Sequence, residues 1–162
     1  MAHDKFIAIY LNDHLAIATA ESEIAKRCER SNRGTALGDF LAELVADVDT
    51  DRGQLANVMD VLGVARQRTK PWAAWAGAKA GRLKLNGQIR GYSDLSRLIE
   101  IEGLMLLVSA GRALWASLKA AGPSGAGLGL PDYDVLIERA DARHAELQSH
   151  HLEAARTALR DP

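Results

Sequence analysis

Residues 35–63 read TALGDFLAELVADVDTDRGQLANVMDVLG, and the spacing within this stretch decides the fold. Leu37, Leu41, Leu44, Val48, Leu55, Val58 and Leu62 recur at steps of four and three, with Asp51 on the same line. That period places them on one stripe of an α-helix. Thr35 stands where an N-cap belongs, and Gly63 stands where a C-terminal cap does.

Working outward, the same period recurs in three more segments. The first runs over about residues 4–30, with the seam Ile7, Leu11, His14, Ala18, Glu21, Ala25 and Cys28. Ser31-Asn32-Arg33-Gly34 separates it from the helix at 35–62. The segment 93–121 is apolar nearly all round, as expected of a central helix. Its seam is read as Leu95, Ile99, Glu102, Leu106, Ser109 and Ala113, and Gly122-Pro123 stops it. The segment 132–160 carries Tyr133, Ile137, Ala140, His144, Leu147, His151, Ala154 and Ala158. A shorter helical pattern covers 71–83.

The chain has 162 residues, 48% hydrophobic and 25% charged, which suits one helical domain over 1–162. Alanine, leucine, glutamate and arginine dominate, and no strand-length alternation occurs. Four helices, each about 40 Å long, predict an all-α four-helix bundle. Short links make the first two helices an antiparallel pair and the last two another. The connection from Val64 to Tyr92 is long enough to travel the bundle, so the third helix can run parallel to the second.

Each helix places ionisable groups on its own seam: Glu21 and His14, Asp51, Glu102, and His144 with His151. Burying one unpaired costs several kcal/mol, so each needs an opposite charge, a metal or water. Counting from the helix midpoints, Glu21 and Glu102 lie about 6–7 Å toward the same end if the connection crosses over. His151 and Asp47 fall on that side too.

Two antiparallel helix pairs, a long crossover and inward carboxylates with histidine resemble the ferritin-like superfamily. Its di-metal members carry a Glu from each of two helices and Glu-x-x-His from each of the other two. The resemblance implies a metal centre in which Glu21 and Glu102 take the single-Glu positions. Asp141-x-x-His144 is similar to one Glu-x-x-His with a shorter acid, and Asp47 or Asp51 would supply the second helix. That helix has no histidine, so the implied centre is a degenerate one. Its donors would suit iron, manganese or zinc. The alternative is a non-catalytic scaffold or interaction protein that has lost the metal.

The connection itself holds Arg66, Arg68, Lys70, Lys79, Arg82, Lys84 and Arg90, seven basic residues with no acid. The rest of the chain then has 13 basic and 21 acidic residues, an asymmetry hidden by the net charge of −1. Trp72 and Trp75 sit among these charges. Such a segment suits an anionic surface or ligand, and it equally suits the acidic bundle or a homodimer contact. Cys28 is the one cysteine, which excludes an intrachain disulfide. Together with acidic residues near the start, this fits a cytoplasmic protein, and no run is long enough to span a bilayer.

Overall fold

The computed structural model describes residues 2–67, 92–122 and 129–160, with side chains from residue 5 onward. Four helices follow in order: α1 Ala2–Ser31, α2 Ala36–Val61, α3 Asp94–Ala121 and α4 Tyr133–Ala158. No strand occurs among the described residues. The short helical pattern expected at 71–83 lies outside them.

Local chemistry sets the boundaries. Thr35 accepts a hydrogen bond from the Gly38 amide, Ser93 from the Ser96 amide, and Asp132 from the Asp134 and Val135 amides. Each satisfies donors that a helix start leaves open. At the end of α2, Gly63 adopts φ +65°, its amide donates to Asp60, and the Val64 amide donates to Met59. This left-handed closure is what the glycine supplies. The turn from α1 into α2 is tighter still: a Cβ on Gly38 would lie 2.2 Å from the Asn32 carbonyl oxygen. Only a glycine admits that approach.

Burial divides the core into two ends. One end packs Ala25 and Cys28 of α1 with Leu41 and Leu44 of α2, Leu98 and Ile101 of α3, and Leu147 of α4. The other packs Leu11, Leu55, Val58, Met59, Leu114, Trp115, Tyr133 and Leu136. The first turns of α2 and α3 therefore share one end, and these two helices run parallel. Successive helices within each pair are antiparallel, so the connection between residues 62 and 93 travels from one end to the other.

Both ends of that connection are tied to α1. Asn12 donates to the Ala65 carbonyl at 3.0 Å and accepts from the Gln67 amide at 2.7 Å. At the far end, Asn32 donates to the Tyr92 hydroxyl at 2.9 Å, which donates to Glu100 at 3.0 Å. Arg27 pairs with Glu100 at 2.7 Å, and Arg97 donates to Asn32 at 2.8 Å.

The seam expected for α3 is corrected by burial. Leu98, Ile101, Leu104, Val108, Trp115 and Leu118 face the core, whereas Leu106 is 74% exposed. The stripe Leu95–Ile99–Glu102–Leu106 lies on the outer face. A helix that is apolar all round carries two stripes of equal period, so spacing alone could not choose between them.

Candidate functional site

Midway along the bundle, α2 and α4 stand farther apart than the other adjacent pairs. Long side chains fill the gap. From α4, Arg143 reaches Asp51 at 2.6 Å and Asp47 at 3.0 Å, and Arg139 reaches Asp51 at 3.1 Å. Asp47 and Asp51 are one turn apart on α2, and Arg139 and Arg143 are one turn apart on α4. The two antiparallel helices thus present matched pairs of opposite charge. Arg143 is buried, and Asp51 is nearly so.

A cavity of about 30 Å³ opens beside this cluster, with room for about two water molecules. Its polar lining is His14 and Glu21 of α1, Asp51 of α2 and Arg143 of α4; Val108, Leu114 and Trp115 close the α3 side. Glu21 is 6% exposed and accepts no hydrogen bond from any described residue. Burial pushes its carboxyl up to about 7; Arg143 pulls the other way and Asp51 adds to the rise. Burial also holds the His14 imidazole below its ordinary value, against the opposing pull of Asp13. One Nη atom of Arg143 is buried with no hydrogen bond of acceptable angle, although Asp47 lies within ion-pair distance. That donor lies against Asp47, and Glu21 is a buried carboxyl facing a polar cavity, a setting that internal water serves.

Of the six residues expected to hold a metal, the structure gathers three. Glu21 and Asp51 line the cavity, and Asp47 approaches it through Arg143. Glu102 is turned outward with α3 and pairs with His151 at 3.1 Å. Asp141 is exposed and is gripped by both nitrogens of the Arg112 fork at 2.5 and 3.1 Å, which holds its carboxyl below the usual range. His144 is half-buried and lies within electrostatic reach of Asp141. Among the described residues, no group of three or more His, Cys, Asp or Glu side chains is arranged to hold a metal ion. The donor set does not fit such an ion. A guanidinium lies against the two aspartates, where a divalent cation would need their oxygens free.

Sequence reasoning missed Arg139 and Arg143, and it missed Glu100, the buried glutamate of α3. A signal for the arginines existed: Asp47/Asp51 and Arg139/Arg143 share a four-residue spacing on two helices of the expected bundle. For Glu100 there was none while the α3 face was misassigned. Cys28 lies beside Glu100 and Tyr92, and burial, with the Glu100 charge adding, pushes its thiol up to about 12. It is an unreactive core residue.

The basic connector falls largely outside the described residues. Arg66 lies within them and pairs with Asp60. Arg68, Lys70, Trp72, Trp75, Lys79, Arg82 and Lys84 lie outside. No helix among the described residues is long and apolar enough to cross a membrane. No family model, curated protein or solved structure matches the chain.

Proposed function

We propose that this chain is a non-catalytic interaction module: a ferritin-like bundle whose internal charge is closed by arginine, and which works by contact. The observation that carries this reading is the position of Arg143. It sits against Asp47 and Asp51 and lines the cavity with Glu21, so the two aspartates of α2 already have a cation. The helix order supports the ferritin-like comparison, because α2 and α3 are parallel and joined by an end-to-end connection. The other expectation from sequence, a degenerate carboxylate/histidine metal site in the bundle core, draws no support from Glu102, Asp141 or His144, which stand elsewhere.

The working surfaces in this reading are the outer faces and the basic connector. The connector leaves and rejoins the bundle at α1, through Asn12 and Asn32. Its sequence holds seven basic residues and two tryptophans, and the rest of the chain is acidic. Anionic partners and a second copy of the chain are the contacts that this chemistry favours.

Metal content measured by mass spectrometry tests the reading. The protein is purified without chelator after growth with iron, manganese and zinc. The expected result is far less than one ion per chain, with a melting temperature that none of these ions raises. About one or two ions per chain, lost in Glu21→Ala, would overturn it.

A further inference from the structure

We infer that the chain forms a two-fold symmetric homodimer through the outer face of α3. This rests on the reading of the chain as an interaction module and names both the surface and the partner. The outer stripe runs Leu95, Ile99, Glu102, Leu106, Ala110, Ala113, Ser117. Its steps are four, three, four, four, three, four, which read the same from either end with Leu106 at the centre. The N-terminal half carries large side chains and the C-terminal half carries small ones. Leu106 is 74% exposed and Leu95 is 36% exposed, both on the face opposite the core.

A second copy laid antiparallel, with the two-fold axis at Leu106, turns this asymmetry into a fit. Leu95 then faces Ser117 of the second copy, Ile99 faces Ala113, Glu102 faces Ala110, and Leu106 meets its own equivalent. Large residues enter the spaces left by small ones, as close helix packing requires. The contact is self-complementary, as a two-fold interface must be.

Charge agrees with shape. Beside this stripe stand Asp94, Glu102, Arg112 and Lys119, each about half exposed, the last three paired with α4. The same two-fold axis sets Asp94 about 1.5 Å along the helix axis from Lys119 of the second copy. It sets Glu102 about 3 Å from Arg112 of the second copy by the same measure. Acid therefore faces base on both sides of the axis. Within one chain these groups are already paired, Asp94 with Arg97, Glu102 with His151, Arg112 with Asp141 and Lys119 with Asp134. Association extends those pairs into a network and strands no charge.

The test is the solution mass of the full chain, followed by crosslinking. Light scattering should give twice 17.5 kDa for the unaltered chain. In Leu106→Glu the mass should halve, with the helical spectrum and melting curve kept, because the side chain is exposed. In Leu106→Cys, mild oxidation should link two chains, since the axis passes through that residue. Leu95→Cys combined with Ser117→Cys should also link, and neither change alone should. Cys28 can stay in place because it is fully buried. If Leu106→Glu fails to fold, the crosslinks decide. A monomeric wild type, a dimer that survives Leu106→Glu, or a dimer without the Leu106→Cys link would overturn the inference. A monomer without metal would overturn this interface alone, whereas a metal-loaded dimer would overturn the reading on which it rests.

Discussion

Glu21 shows how a single buried carboxyl can set the pH response of a fold. Its ordinary value is 4.5, and in the bundle it stands at about 7. Between those limits the folded state binds a proton that the unfolded state has lost. Stability is therefore full below about 4.5 and falls as pH rises through about 7. The total is on the order of 3 kcal/mol, since one unit corresponds to about 1.4 kcal/mol. Glu21→Gln keeps the shape and removes the charge, so its melting temperature should hold across this range while the wild type's declines. Equal slopes for the two proteins would show that another group carries the effect. The position of Glu21 was legible in the sequence, because it lies on a stripe whose other members are apolar. The cation that shares its cavity was not. Arg143 sits next to the seam read for α4, and arginine's length lets it reach inward from there.

At the scale of the element, the helices were legible and one face was not. Thr35, Ser93, Asp132 and Gly63 mark the boundaries by side-chain chemistry that any reader of the sequence can find. For α2 the stripe is clear, because Asp39, Glu43, Asp49, Gln54, Asn57 and Asp60 interrupt the other faces, although Phe40 and Met59 are buried beside it. For α3, leucine, isoleucine, methionine and valine fill most of the stretch from Leu98 to Val108, so period alone fits two opposite faces. Burial chose the stripe of Leu98 and Ile101, and that choice moved Glu102 to the surface. Two glycines of α2 test how local rules and tertiary contact compete. Gly53 has no neighbour in the way, and Gly53→Ala should stabilise by about 0.5–1 kcal/mol through helix propensity. Gly38→Ala gains the same propensity but drives a methyl group into the Asn32 carbonyl. It should destabilise by at least 1–3 kcal/mol, the usual scale of overpacking. Chemical denaturation of the two variants checks both signs. A stabilised Gly38→Ala would mean that the α1–α2 turn is looser than described.

Across the whole molecule, the helix order and the charge cluster belong together. The end-to-end connection makes α2 parallel to α3 and leaves α2 and α4 as the wide pair of the bundle. Phe40 stacks on His150 across that gap at 5.2 Å, and Asp47, Asp51, Arg139 and Arg143 bridge it midway. The sequence reading anticipated the parallel pair from the length of the connection. It left the seam charges an opposite charge, a metal or water, with the ion implied by the resemblance, and it did not name the arginines of α4 that pair with Asp47 and Asp51. A double-mutant cycle between Arg143 and Asp51 tests this most directly, using Arg143→Met, Asp51→Leu and the pair together. Each single change leaves its partner with one remaining contact, Asp51 with Arg139 or Arg143 with Asp47, and should cost about 1–3 kcal/mol, whereas the double change should cost clearly less than their sum. Additivity within about 0.5 kcal/mol would contradict it, and would mean that the guanidinium is not the bundle's internal cation.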